Sequence, residues 1–414
     1  MVPPAHALIA AALVAAGTPT VADQRGLPVL DLLNPDAPPA DLLGARAALR
    51  EAGFDLAALF VLDYSHNVAG GLDTQGDALR RFLSVSLTVD LPTVLQWPSG
   101  TLFLDFHHQA GQNGSDEVGD FQGVGNLDAD GLDQVSEAWF EYTFDDAGVT
   151  VRAGKIEVNA LYGDSQLNAV FVHGSAAFPV TDALMPTYPD PAFGVNVVVE
   201  PTDALLVQAG VFDGALQEGV RTGARGPSTL FGEPSDLYLT AEVGLRWSVG
   251  GTRPGLAKLG GWWHTGTFDA FDGSVRDGAG GLHVVVDQML FVEAPPADDA
   301  GVFDTQGVGV FAAWDIADGD VLEAAQHATA GFTWRGALPS RDDDVLGVLA
   351  SWVLFTDERG AGFVDDAELA VEVMDRAALT PWTAVQPYAQ WVRHPGGQGL
   401  DDAVNLGVRL EAAF

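Results

Sequence analysis

The sequence predicts an all-β protein, a transmembrane antiparallel β-barrel of about sixteen strands. Three observations support this fold class. Apolar residues form 47% of the 414-residue chain, yet they are spread over many short segments rather than gathered in a few long ones. Those segments alternate apolar and polar residues with a period of two, as β-strands do. The connections between them alternate in length, which is typical of barrels that cross an outer membrane.

The N-terminal region predicts export. Residues 1–22 resemble a signal peptide, because an apolar stretch precedes the small-x-small sequence TVA before Asp23. The apolar stretch Ala7–Gly17 is 11 residues long, too short to cross a bilayer as a helix. Residues 23–53 then predict a periplasmic segment with a short helix within 41–53, which Asp41 caps and Gly53 ends.

After Gly53 the period changes to two, and residues 54–414 are predicted to form the barrel. In the segment DLYLTAEVGLRWSVG (236–250), Glu242 and Arg246 lie on the face opposite Leu239, Val243 and Trp247. Two unlike charges in mid-strand are costly against a packed core. They are well solvated in a water-filled lumen, so the pattern favours lipid on one side of the strand and water on the other. The segments FDLAALFVLDYS (54–65) and AELAVEVM (367–374) alternate in the same way.

The connections predict which ends of the strands are joined by short turns and which by long loops. Short periplasmic turns are expected at DDAG (145–148), PTD (201–203) and GGTRPG (250–255), and long extracellular loops at 66–78, 111–133, 157–190 and 213–235. The link APPADDAG (294–301) is longer than this rule expects. An even number of strands with both ends periplasmic lets the sheet close on itself, which leaves no unpaired edge in lipid.

The chain ends with a strongly alternating segment, NLGVRLEAAF (405–414). One face carries Leu406, Val408, Leu410, Ala412 and Phe414, and the other carries Asn405, Gly407, Arg409 and Glu411. We interpret it as the last barrel strand, with its apolar face toward lipid. A terminal Phe414 after such alternation resembles the signal that the barrel-assembly machinery recognises. The alternative is a strand of a soluble β-sandwich.

Charge and composition restrict the partners. The formal net charge is −38, which argues against nucleic acid or anionic lipid headgroups and favours cations or neutral solutes. The chain has no cysteine, so disulfides and thiolate metal sites are excluded. Nucleophile-elbow, P-loop, zinc-protease and dinucleotide motifs are all missing from the sequence. We therefore predict neither an enzyme nor a bound cofactor.

Three segments resemble the carbohydrate-selective porins of the OprB type. They are GDFQGVGNLDADGLDQVSEAWFEYTFDDAGVTVRAGKIEVN (119–159), PWTAVQPYAQWVRHPGG (381–397) and RAALREAGFDLAALFVLDYSHNVAGG (46–71). They lie near both ends and in the middle of the chain, so the resemblance covers most of the mature protein. It implies a sixteen-stranded channel that admits sugars across the outer membrane of a Gram-negative-type cell.

Strand parity identifies candidate residues of the lumen. Lys155 departs from the parity of Arg152, and a bulge at Gly154 is expected to turn it inward. Sugars need mixed donors and acceptors with an aromatic ring to stack on, which residues such as Arg246, Gln390 and Trp262 supply. The full set is Glu137, Glu141, Arg152, Lys155, Tyr238, Glu242, Arg246, Lys258, Trp262, His264, Glu368, Glu372, Gln386, Tyr388, Gln390, Asn405 and Arg409.

Two loop segments each allow two interpretations. The segment NLDADGLDQVSE (126–137) places Asn126, Asp128, Asp130 and Glu137 at calcium-loop spacing. The alternative is an acidic loop near the pore mouth. The loop 157–190 contains enough apolar residues to fold inward and narrow the channel, and its alternative is an ordinary surface loop.

The sequence as a whole predicts a passive diffusion channel, most simply for monosaccharides or small oligosaccharides. A general or cation-preferring porin is the main alternative, which the net charge favours. An outer-membrane barrel enzyme and a soluble β-rich binding protein are further alternatives. Expected partners are sugars or other small hydrophilic solutes and outer-membrane lipid. The sequence permits either a monomer or a homo-oligomer, since lipid-facing and subunit-facing strands are both apolar.

Overall fold

The computed structural model describes residues 45–128, 131–228, 230–293, 303 and 305–413. Several sequence predictions fall outside these residues. They are the signal peptide (1–22), most of the periplasmic segment including Asp41, the link 294–301, Asp130 and Phe414.

The described residues form sixteen antiparallel strands in one closed barrel, in which each strand pairs with its sequence neighbours and β1 pairs with β16. Closure into a single sheet confirms the predicted fold class and excludes the two-sheet sandwich. The strands are β1 Phe54–Ala69, β2 Asp77–Asp90, β3 Thr101–Gly111, β4 Leu132–Phe144, β5 Val149–Ile156, β6 Ala192–Thr202, β7 Leu205–Asp213, β8 Leu237–Val249, β9 Arg253–Asp269, β10 Val275–Val292, β11 Gly307–Ala317, β12 Ala324–Arg335, β13 Val345–Phe355, β14 Ala367–Thr380, β15 Thr383–Arg393 and β16 Ala403–Ala413.

Helical segments are short. Helix α1 is Ala45–Glu51, and Gly53 follows it with a φ of +88° and donates its N–H to the Arg50 carbonyl at 2.9 Å. Glycine adopts this left-handed conformation at little cost, so the helix ends before β1 as the sequence predicts. Helices α2 (Leu91–Leu95) and α3 (Ser115–Val118) lie in connections. Short 3-10 helices occupy Asp145–Ala147, Val158–Ala160, Gly174–Ala176, Ala215–Glu218, Thr222–Ala224, Arg359–Ala361 and Pro395–Gly397. Among the described residues, no helix has both the length and the hydrophobicity needed to cross a membrane.

The two ends of the barrel carry different connections. At the end where β1 begins and β16 ends, which we call the terminal end, strands are joined by 91–100, 145–148, 203–204, 250–252, 293–306, 336–344 and 381–382. At the opposite loop end the connections are 70–76, 112–131, 157–191, 214–236, 270–274, 318–323, 356–366 and 394–402. The three longest of all, 112–131, 157–191 and 214–236, share the loop end. The alternation is not strict. At the loop end 70–76, which the sequence predicts as a longer loop (66–78), 270–274 and 318–323 are all shorter than 91–100 at the terminal end.

The two faces of the wall differ as the period-two pattern requires. In β16, Leu406 and Leu410 are 45% and 44% exposed, whereas Asn405, Arg409 and Glu411 are buried. The apolar face therefore lies on the outside, and the polar face lies in the lumen. Because there is no water inside a bilayer to satisfy backbone groups, a closed sheet with an apolar outer face is one of the few structures that can cross it.

Candidate functional site

The candidate lumen residues lie on the inner face of the wall. Sixteen of the seventeen are buried, and Arg246 is the exception with a side-chain exposure of 22%. Arg246 lies toward the terminal end and binds Glu200 at 2.9 Å. The structure therefore places these side chains where parity expects them, whereas their contact with a solute remains a prediction.

Residues 157–191, which we call the inner loop, fold into the lumen. Most of their side chains are buried, and the middle of the loop packs on apolar residues of the wall. Phe171 and Val172 belong to one buried cluster with Phe311, Leu349 and Met374. The inner loop thus occupies part of the lumen, and of the two interpretations of this segment the structure adopts the inward one.

Charged wall residues on β8–β10 hold the start of the inner loop. The Glu242 carboxylate accepts the N–H of Gly163 at 2.9 Å and a hydrogen bond from His283 Nε2 at 2.9 Å. Lys258 forms a close ion pair with Asp164. A buried charge is tolerated only when such partners surround it. Glu242 and Lys258 are therefore anchors for the loop in this structure.

The middle of the inner loop is held from the other side of the barrel. Glu372 on β14 accepts the N–H groups of Val172 and His173 at 2.9 and 2.8 Å. Gln386 on β15 donates to the carbonyl of Val170 at 2.8 Å. Hydrogen bonds to a carboxylate are about twice as strong as those between neutral groups. These contacts fix the loop against β14 and β15.

A second segment also turns inward. Residues 112–131, which we call the companion loop, contact β14 four residues nearer the loop end than the inner loop does. Glu368 accepts the N–H groups of Phe121 and Gln122 at 2.8 and 3.1 Å, and that of Gly396 at 2.6 Å. Gln390 donates to the carbonyl of Val124 at 2.8 Å. One strand thus supplies a carboxylate for each loop.

A belt of charges holds the companion loop on β1, β2 and β16. Asp63 lies opposite both Arg80 and Arg409 in the strand register and binds them at 3.0 and 2.7 Å. Arg80 also pairs with Asp128, and Arg409 donates to Asn126 at 2.7 Å. Sequence reasoning missed Asp63 and Arg80. Parity could have found Asp63, because it is an acidic residue in the middle of the polar face of β1.

The calcium interpretation of residues 126–137 is not supported by the positions of these side chains. Asn126 and Asp128 bind arginines of the wall, as described above. Glu137 lies on β4, where its carboxylate accepts a hydrogen bond from Trp139 Nε1 at 2.9 Å. Within the described parts of the chain, no cluster of three or more His, Asp or Glu side chains is arranged to hold a metal ion.

An aromatic and charged cluster lies on β3–β5. The guanidinium carbon of Arg152 lies 3.9 Å above the ring of Trp139, and its Nη2 binds Glu141 at 2.7 Å. Trp139 stacks on Phe103 with ring centroids 4.8 Å apart. Phe103 and Arg152 lie on the two strands that flank β4, so they cover the Trp139 ring between them. The polar groups of this cluster, the Arg152 guanidinium and the Glu141 carboxylate, belong to the wall itself.

Lys155 is turned inward by its neighbour, as predicted, although by a different route. Gly154 has a φ of +141°, and the strand register passes through it without an extra residue. The reversal therefore comes from the glycine backbone rather than from a bulge. Lys155 Nζ donates to the carbonyl of Val135 at 2.7 Å and to that of Gly223, so it holds the connection 214–236.

The remaining candidates hold loops or one another. Tyr238 donates to Asp182 of the inner loop at 2.5 Å and stacks on Trp262 at 6.0 Å. His264 Nε2 is 2.9 Å from the carbonyl of Gly214. Three further contacts join wall residues: Tyr388 donates to Asp63 at 2.8 Å, Asn405 to Gln390 at 2.8 Å and Gln390 to Glu372 at 2.9 Å.

One family model matches most of this chain. It is described as carbohydrate-selective porin, OprB family, and it covers residues 75–414. Porin B of Pseudomonas aeruginosa is 21% identical over 423 aligned positions, which cover 90% of each chain.

Solved structures with the same fold include two of one protein. The high-pH structure of Pseudomonas putida OprB is 18% identical, with a TM-score of 0.80 over 90% of this chain and 97% of that one. The low-pH structure of the same protein is 16% identical, with a TM-score of 0.60 over 91% and 98%. At these identities the likeness concerns the fold.

Proposed function

This chain belongs to the carbohydrate-selective porin, OprB family, and from that membership we propose that it passes small neutral sugars by diffusion beside the inner loop. It is a channel of the outer membrane rather than an enzyme. The observation that carries the proposal is the inner loop, which lies inside a closed barrel and is bound to opposite sides of the wall through Glu242 and Glu372. A narrowed lumen selects by size and by weak polar contacts, because tight binding would slow release.

We propose the cluster of Arg152, Trp139 and Glu141 as the place where a sugar touches the wall. Phe103 and Arg152 cover the Trp139 ring, so the ring positions the guanidinium, and the guanidinium and the Glu141 carboxylate bind sugar hydroxyls as donor and acceptor. The Arg152 guanidinium packs on the ring of Trp139 and also forms an ion pair with the Glu141 carboxylate. These two partners fix the direction of its remaining N–H groups, which supports a preformed contact.

Single-channel conductance in a planar bilayer tests this proposal. Glucose added to the wild-type channel should lower its conductance in a saturable way. The Trp139→Leu variant should keep its conductance in salt alone and lose most of the glucose effect. The Trp391→Leu variant is a matched control, because Trp391 is an exposed tryptophan on the outer face of β15. An equal glucose effect in all three proteins would contradict the assigned contact, and no glucose effect in the wild type would contradict a sugar site.

A cation-preferring channel is the second candidate, and the net charge of −38 favours it. Many of the acidic side chains of the wall are bound to backbone N–H groups or to basic side chains, which reduces their effect on passing ions. The reversal potential in a KCl gradient separates the two functions. A strong cation preference without any glucose effect would favour a general porin over a sugar channel.

We also propose that the apolar outer face lies in outer-membrane lipid and that the assembly machinery recognises the C-terminal strand. The exposed Leu406 and Leu410 support the first point, and the alternation of β16 supports the second. Removal of Phe414 should lower the yield of folded protein in the outer membrane. Cross-linking in that membrane would show whether the channel is a homo-oligomer, which the apolar outer face permits.

A further inference from the structure

Asp120 of the companion loop is a buried acid without an evident partner. It is 5% exposed, and neither of its carboxylate oxygens has a hydrogen-bond partner among the described residues. A carboxylate that is removed from water without a partner destabilises the folded protein. Its environment must therefore contain something that compensates the charge.

The neighbours of Asp120 include two further acidic side chains. Glu368 accepts the N–H of Phe121, the residue that follows Asp120, at 2.8 Å, so the two carboxylates lie at the same crossing of the companion loop and β14. Three N–H donors surround the Glu368 carboxylate. The Ser115 hydroxyl also acts on Asp120, but it donates its proton to Asp128 at 3.2 Å. Asp128 is the other acid that acts on Asp120, and its own charge is paired with Arg80.

Two kinds of compensation are chemically available. Burial and the neighbouring Glu368 raise the pKa of Asp120, so a proton could neutralise it. A proton removes one charge and leaves the second oxygen of Asp120 without a partner. A cation held between the two carboxylates compensates both charges, and backbone carbonyls can complete its shell. The Gly119 carbonyl oxygen is a candidate ligand, because it lies close to the backbone of Gly396. The N–H of Gly396 in turn binds the Glu368 carboxylate.

We propose that Asp120 and Glu368 bind a divalent cation of the calcium type, which fastens the companion loop to β14 and to the connection 394–402. Two carboxylates, backbone carbonyls and water are the oxygen ligands that calcium prefers. The site differs from the calcium spacing of residues 126–137, whose side chains hold arginines. It joins three segments at the loop end that no covalent link connects.

Calcium binding to the folded protein in detergent, after treatment with EDTA, tests the proposal. Calcium should bind the wild type at one site tighter than the weak surface sites and raise its thermal-unfolding midpoint. The Asp120→Asn variant keeps the size of the side chain and removes its charge. It should bind calcium at this site at least about tenfold more weakly, as loss of a charged ligand implies, and its midpoint should not respond.

Asp401→Asn is the matched control, because Asp401 is an exposed acid at the same end of the barrel. It should respond to calcium as the wild type does. A wild-type midpoint that ignores calcium, together with an Asp120→Asn variant that is equally stable, would overturn the proposal in favour of a protonated Asp120. An equal loss of response in Asp401→Asn would also overturn it, since the response would then belong to surface charge. If Asp120→Asn fails to fold, the calcium titration of the EDTA-treated wild type decides alone, with no tight site counting against the proposal.

Discussion

The carboxylate of Glu372 accepts the backbone N–H of His173 at 2.8 Å, across 199 residues of sequence. The same carboxylate accepts the N–H of Val172 and a side-chain bond from Gln390, both at 2.9 Å. A wall carboxylate with three donors is a strong anchor, because each bond to a charged group contributes about 1.5–3 kcal/mol. The position of the inner loop in the lumen therefore depends on a residue that parity alone would describe as lining the pore.

Replacement of Glu372 should widen the channel. Glu372→Ala removes all three hydrogen bonds, so the middle of the inner loop should move away from β14 and the single-channel conductance should rise. Glu372→Gln keeps one acceptor oxygen and should give an intermediate value. The measurement is conductance in a planar bilayer at fixed salt, with size exclusion of oligosaccharides in liposome swelling as a second reading.

Loss of a lumen carboxylate could change conductance through charge alone, and Glu200→Gln controls for this. Glu200 lies on the inner face of β6 and, among the described residues, its carboxylate pairs with Arg246 rather than with the inner loop. It should leave the size limit unchanged. Conductance and size limit that stay at wild-type values in Glu372→Ala would show that the apolar cluster around Phe171 holds the loop by itself.

Substitution of Arg152 by lysine should separate the effect of sugar contact from the effect of positive charge in the lumen. Arg152→Lys keeps the positive charge but loses the flat guanidinium that lies on Trp139, and a stacked arginine is not replaced by lysine. We expect glucose to affect the conductance about tenfold more weakly, in line with a cation–π contribution of about 1 kcal/mol and one lost hydrogen bond. Ion selectivity should stay near that of the wild type. A glucose effect unchanged in Arg152→Lys would count against this residue as a sugar contact.

Asp182 should make the stability of the protein depend on pH between about 4 and 8. It is buried, and burial raises its pKa from 3.8 to about 8, while the hydrogen bond from Tyr238 opposes the shift. Because the folded-state pKa is the higher one, the folded protein holds a proton that the unfolded chain releases. Its stabilising contribution is complete below about pH 4 and is lost as the pH rises through about 8.

The pH dependence can be measured by comparison with Asp182→Asn. Asparagine still accepts the hydrogen bond from Tyr238 but does not titrate. The wild type should lose up to about 1.4 kcal/mol of stability per pH unit relative to the variant between pH 4 and 8. His283 and Asp315 also act on Asp182 and are present in both proteins. Parallel curves for the wild type and the variant would exclude Asp182 as the titrating group.

The sequence predicts the wall of this barrel well and its interior poorly, for a physical reason. Lipid on one side and water on the other impose a period of two, so the inner position of Glu242 or Asn405 can be derived from its neighbours alone. What each side chain binds there depends on contacts between distant segments. Glu368 and Glu372 are four residues apart on one strand and hold two different loops. The spacing of Asn126 and Asp128 suggested calcium, and the structure instead places arginines of β2 and β16 beside them.

The last prediction concerns the glycine that turns Lys155 inward. At Gly154 the φ of +141° is unfavourable for any residue with a side chain, and an added Cβ would lie 2.3 Å from the carbonyl oxygen of Ala138. Gly154→Ala should therefore lower the free energy of unfolding by about 1–3 kcal/mol, or more if the backbone cannot shift. Gly244→Ala is the matched control, since a Cβ there meets its nearest atom at 3.7 Å. Urea unfolding of both variants in detergent measures the difference. Because Lys155 also holds Gly223, proteolysis within 214–236 should increase in Gly154→Ala alone, and equal cleavage in the two variants would show that this connection is fixed by other contacts.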